Sequence, residues 1–104
     1  MAREARTQLD LLLLATLARG PAHGYRAIEL LRERSGGYFR YPEGTVYPAL
    51  HRLERDGLVA SRWSRGDPRR RRVYRLTRKG SSLLARERKE WALLARAVEA
   101  VLAA

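Results

Sequence analysis

The chain has 104 residues, room for one compact domain with a single small core rather than two. Twenty-two Lys and Arg stand against eleven Asp and Glu, a formal charge of +11, and all the basic residues but Lys79 and Lys89 are arginine. So large an excess points to a polyanionic partner, while the absence of cysteine excludes disulfide frameworks, thiolate zinc fingers and cysteine redox switches. No uninterrupted apolar run, Leu11 to Ala15 included, is long enough to cross a bilayer, and Arg3, Arg6 and Asp10 break any signal-peptide pattern. The expectation is a soluble, cytoplasmic protein with no membrane partner.

Thr7, followed three residues on by Asp10, is a helix-start signal. From there Leu9, Leu12, Leu13, Thr16 and Leu17 recur with helical spacing until Gly20 and Pro21 end the run. A second helix is predicted over 22–34, with Tyr25, Ile28 and Leu31 inward and Arg26, Glu29, Arg32 and Glu33 outward, stopped by Ser35-Gly36-Gly37. Tyr38-Phe39-Arg40-Tyr41 follows, an aromatic connector expected to pack across the helices.

The third helix is predicted from about Glu43 to Asp56, closed by Gly57, with Val46, Leu50 and Leu53 as its apolar side. A start near Gly44 puts Pro48 in the first turn, where its missing N–H has no intrahelical partner to lose. From Leu58 the period changes to that of strands, with Val59, Ser61 and Trp63 alternating against Ala60, Arg62 and Ser64, and a second alternation over 71–76. Arg65-Gly66-Asp67-Pro68-Arg69-Arg70 between them is turn-forming, so the two strands read as an antiparallel hairpin with a basic tip. Nine basic residues face one acid between positions 62 and 79.

Thr77 opens a long final helix to about Ala103. Leu84, Trp91 and Val98 are spaced by sevens, and Leu94 and Val101 form a second such series. The preceding domain is too short to cover this stripe, which calls for a second copy of the chain.

In sum the sequence predicts an α+β, mainly α, winged helix-turn-helix with a two-stranded wing. Residues 1–80 form the DNA-binding domain and 81–104 a dimerisation helix continuous with it. The third helix fits the major groove of duplex DNA, and the Arg69, Arg70, Arg71 and Arg72 run supplies salt-sensitive phosphate affinity. His51 and Glu54 are three apart on one helix, but no third metal ligand lies near, and Ser35, Ser61 and Ser64 lack a base and an orienting acid. The expectation is no cofactor, no metal and no enzyme.

Several segments resemble the PadR-like transcriptional regulators, in particular the short members with a single C-terminal helix. They are Gly20-Pro21-Ala22-His23-Gly24-Tyr25 after Leu14-Ala15-Thr16-Leu17, the run from Gly44-Thr45-Val46-Tyr47-Pro48-Ala49-Leu50 to Gly57-Leu58-Val59, and the run from Arg71 to Gly80. The resemblance implies a dimeric repressor on an inverted-repeat operator. It puts Thr45, Tyr47, Pro48 and Ala49 at the exposed start of the recognition helix, extends that surface to His51 and Arg52, and likens Tyr25 to a residue touching the phosphate backbone. It also implies that a small hydrophobic effector binds between paired helices. Trp91 therefore has two readings, an anchor of the dimer interface with Leu84, Leu94, Val98 and Val101, or the wall of an effector pocket. Two rivals remain open, an architectural or RNA-binding winged helix and a sensing module that no longer binds DNA.

Overall fold

A computed structural model describes residues 6–104, so Arg3 and the start of the predicted domain lie outside the described residues. The elements are α1 (Gln8–Ala18), β1 (Ala22–His23), α2 (Gly24–Arg34), α3 (Glu43–Arg55), β2 (Val59–Trp63), β3 (Arg72–Leu76) and α4 (Arg78–Ala103). The sheet is antiparallel in the order β1-β3-β2, and the molecule measures 56 × 35 × 23 Å. This is a winged helix-turn-helix, mainly helical, with the long C-terminal helix in place.

The Thr7 hydroxyl caps α1 by accepting the Asp10 N–H at 3.1 Å. Leu9, Leu13, Leu14 and Leu17 then bury one helical face against Ala27 and Leu31 of α2 and Val46, Leu50 and Leu53 of α3. Tyr74 of β3 closes this core from the sheet side, and burial raises its hydroxyl pKa. One acid is also buried: Asp10 accepts a hydrogen bond from Arg52 Nη2 at 3.1 Å and lies 3.7 Å from Arg6. Arg6 in turn reaches Asp56, so two arginines and two acids brace α1 against the end of α3.

Three predicted boundaries change. Ala22 and His23 are not helical: they pair with Tyr74 and Val73 as a short third strand, so the predicted two-stranded wing is part of a three-stranded sheet. The second helix starts at Gly24, and His23 is its cap. In α3, Glu43 is the first helical residue, which puts Pro48 in the second turn, not the first. Its ring leaves the carbonyl of exposed Gly44 without an i+4 amide partner. Within the connector, Phe39 stacks on Tyr41 at 6.0 Å and Tyr41 packs on the core, whereas Tyr38 stays 82% exposed.

The end of α3 is a Schellman turn. Leu58 N–H donates to the Leu53 carbonyl at 2.9 Å and Gly57 N–H to that of Glu54 at 3.0 Å, with Gly57 at φ +77°. The first turn of α4 is bolted onto this turn. Thr77 caps α4 through the Gly80 N–H and donates its own hydroxyl hydrogen to the Gly57 carbonyl at 2.7 Å, while Lys79 Nζ donates to the Asp56 carbonyl at 2.9 Å. Gly80 lies directly against the Leu58 carbonyl, with no space for a side chain. The recognition helix and the long helix therefore share one rigid joint.

Candidate nucleic-acid interface

Helix α3 buries Val46, Ala49, Leu50 and Leu53 and turns Thr45, Pro48, His51 and Arg55 outward. Ala49 is fully buried and leaves the set of predicted contacts, because it sits on the inward stripe with its neighbours three and four residues away. Arg52 is half-exposed but not free to read bases. Its guanidinium is the main partner of the buried Asp10 carboxylate, and withdrawing it would strand that charge.

Tyr47 is half-buried, and its ring lies on the backbone of Gly24, where a Cβ would come within 2.6 Å of Cε1. Its hydroxyl is hydrogen-bonded to the backbone at Tyr25, and burial followed by the Glu43 charge raises its pKa. Tyr25 itself is exposed, not inward as the helical spacing predicted, because it lies in the first turn of α2 beyond the edge of the core. The fold thus brings Tyr47 and Tyr25 together at the start of α2, the positive end of the helix dipole.

The hairpin carries its arginines in a set order. Exposure along one face of β2 rises from 1% at Val59 to 51% at Trp63, because the ribbon outruns the core. On that outer part, the Arg70 and Arg72 guanidiniums lie over the Trp63 ring at 5.6 and 4.8 Å. Arg72 Nε also donates to Ser61 Oγ at 2.9 Å, and that hydroxyl donates to Glu54 of α3 at 2.6 Å, so the wing and the recognition helix are connected side chain to side chain.

Asp67 organises the tip. Its carboxylate accepts the Arg69 N–H at 2.9 Å, Arg71 Nε at 2.7 Å and the Ser64 hydroxyl at 3.2 Å. The Arg69 amide first, then the Arg71 guanidinium, hold its pKa below the usual carboxylate range. Arg70 takes a left-handed backbone conformation at φ +50°, closing the turn with an N–H to the Asp67 carbonyl. Arg71 Nη1 lies 3.0 Å from His23 Nε2, whose Nδ1 accepts the Arg26 N–H.

Sequence reasoning missed His23, Trp63 and Asp67. The last two had a signal, an aromatic and a turn-forming acid among arginines, but His23 acquires its role only through pairing with β3.

The predicted dimer residues divide. Leu84 is buried in the chain's own core with Leu83 and Gly80, so it does not belong to an exposed seam. Trp91, Leu94, Val98 and Val101 are exposed, as are Leu93 and Leu102. Beside them an open groove of about 660 Å³ runs between α1 and α4, lined by Leu11, Leu12, Ala15, Phe39, Trp91 and Leu94 among others. Among the described residues no cluster of His, Asp and Glu could hold a metal ion, and no helix is long and apolar enough to cross a membrane.

A winged helix with an outward-facing third helix and an arginine-rich hairpin belongs to the class of DNA-binding regulators. Residues 13–86 match the Transcriptional regulator PadR-like family, and the chain belongs to that family. It is 46% identical over 69 residues to the transcriptional regulator Rv3488 of Mycobacterium tuberculosis, a match covering 66% of this chain and 64% of that relative's length. Its fold is similar to that of a PadR family transcription regulator from Clostridium difficile R20291, with a TM-score of 0.83, 31% identity, and 92% of this chain and 99% of that one covered. It is also similar to Bacillus subtilis PadR, solved in complex with operator DNA, with a TM-score of 0.69 and 25% identity over 76% of this chain and 45% of that one. The family and these relatives are transcriptional regulators, not enzymes.

Proposed function

We propose that the chain is a cytoplasmic repressor that binds an inverted-repeat operator as a homodimer, residues 81–104 serving as the dimerisation helix of the 1–80 domain. The observation that carries this reading is the side-chain connection from Glu54 through Ser61 to Arg72, which sets the exposed side of α3 and the basic wing as one unit. In that unit Thr45, Pro48 and His51 face the major groove. Arg69, Arg70, Arg71 and Arg72 neutralise phosphates alongside, and Tyr25 with Tyr47 takes a phosphate at the start of α2. Two copies joined through Trp91, Leu94, Val98 and Val101 present two such units, so the site has the dimer's symmetry.

Selecting bound sequences from a random duplex pool at physiological salt tests the reading, with an inverted repeat as the expected product. A chain that stays a single subunit and ignores duplexes even in dilute buffer overturns it. Within the same dimer, a flat hydrophobic effector stacks on Trp91 in the groove beside α1 and releases the operator. Titrating Trp63→Phe protein with a planar dye should quench Trp91, and an unchanged signal despite measured binding rejects that site.

A further inference from the structure

His23 carries no charge in the DNA reading, yet it sits where three parts of the interface meet: β1, the first turn of α2, and the wing. It caps α2 through Nδ1, which accepts the Arg26 N–H at 3.1 Å, and presents Nε2 to Arg71 Nη1 at 3.0 Å. The ladder between β1 and β3 stops at the His23–Val73 pair. Beyond that pair, toward the tip, the connection from the sheet to the wing turn runs through Arg71, which Asp67 grips by its Nε.

A neutral imidazole has one ring nitrogen that accepts and one that donates. Here donors lie at both nitrogens, so the neutral ring serves the α2 cap in one tautomer and Arg71 in the other. A protonated ring accepts at neither nitrogen, and it sets a cation directly against a guanidinium.

We infer that His23 is a positioning residue for DNA binding: in the neutral tautomer whose Nε2 is the acceptor, which gives up the Arg26 cap bond, it latches Arg71, and with it the wing tip, to the start of α2, and its protonation opens that latch. This rests on the DNA-binding reading above. With Nε on Asp67 and Nη1 on His23, the Arg71 fork is held at two points while its side chain stays 40% exposed, which leaves its remaining N–H groups for a phosphate.

The groups facing the ring are Arg26 and Glu29 from α2 and Arg71 and Asp67 from the wing. Burial first and Arg71 second outweigh the two acids and lower the His23 pKa from its ordinary 6.5. The native state therefore binds fewer protons at this site than the unfolded chain. The stability that neutral His23 contributes is complete above 6.5 and is lost as the pH falls through the lowered value. Asp67 stays charged across that window, since its own pKa is held below the carboxylate range.

The sign of the effect on binding distinguishes the latch from simple charge. A histidine that merely gains a proton near DNA strengthens binding in acid. An opened latch weakens it.

The test measures anisotropy of a short rhodamine-labelled duplex of random sequence at fixed low salt, from about pH 7.5 to pH 5.5. The wild-type chain should lose about two- to five-fold in affinity over that range, limited by how far the lowered His23 pKa lets the ring protonate by pH 5.5. His23→Asn, which keeps a side-chain acceptor for the α2 cap but does not titrate, should hold its affinity or gain. Parallel profiles for the two proteins overturn the proposal.

A second readout needs no DNA. Nitrogen-detected NMR of the ring should give a His23 midpoint below the ordinary imidazole value, and Arg71→Gln should raise it. A midpoint that Arg71→Gln leaves unmoved overturns the latch alone. Absence of duplex binding at every pH overturns the DNA reading and this role in it, even where the NMR midpoint moves.

Discussion

The wing and the far half of α4 both leave the core, and they do so with opposite chemistry. At the wing tip, Trp63, Asp67 and Ser61 give Arg70, Arg71 and Arg72 partners within the same chain, so an exposed ribbon of like charges is shaped before any ligand arrives. On α4 the pattern reverses. Its first turns bury Gly80, Leu83 and Leu84, but from Arg88 onward no residue is buried, and Trp91, Leu93, Leu94, Val98, Val101 and Leu102 face outward. Covering a large apolar side chain fully is worth about 1.5–3 kcal/mol, so six of them on one helix are a strong drive to associate. The wing is finished by its own chain, whereas the outer half of α4 is left uncovered by it.

The hardest break to this comparison is at the joint. A Cβ at Gly80 would overlap the Leu58 carbonyl oxygen, which is backbone and cannot swing aside. Gly80→Ala must therefore lift α4 from the end of α3, breaking the Thr77 and Lys79 bonds to the Gly57 and Asp56 carbonyls. A loss of about 3 kcal/mol is expected from urea unfolding. A loss under about 1 kcal/mol would show that the two helices are not rigidly coupled.

Next in size is the exposed half of α4. Leu94→Glu with Val98→Glu would put four like charges across the proposed two-fold seam without touching the core. Sedimentation should show a monomer with its urea midpoint for the domain retained. Affinity for an inverted repeat should fall at least about a hundred-fold as the second half-site contact is lost. A double variant that still sediments as a dimer would move the interface elsewhere.

Much of this was legible in the sequence because it is local. The caps at Thr7 and Thr77, the stop at Gly57 and the Gly66-Asp67 turn follow from side chains acting on their own backbone. What failed needed partners far along the chain. Ala22 and His23 are a strand only because Tyr74 and Val73 lie beside them, fifty residues on, and nothing in a two-residue run announces that. Asp10 is a buried acid because Arg52 reaches it from α3. Ala49 is the instructive case: the spacing of Val46, Leu50 and Leu53 already put it inward, and the resemblance, carried over position by position, turned it outward. Leu84 erred the other way, since the heptad series was extended back into turns of α4 that pack on the chain's own core.

The smallest expected effect separates shape from charge at the wing. Trp63 adds no charge, and its ring is half-exposed with two guanidiniums laid on it. An exposed cation–π contact is worth about 0.5–1 kcal/mol, so Trp63→Ala should weaken duplex binding about three-fold by freeing Arg70 and Arg72 to wander. The slope of affinity against salt should stay unchanged, because the number of phosphates neutralised is the same. Trp63→Phe, which keeps an aromatic face, should recover most of the loss. A lower slope in Trp63→Ala would mean that the ring decides whether the arginines reach phosphate at all, making the tip a built site rather than a charged ribbon.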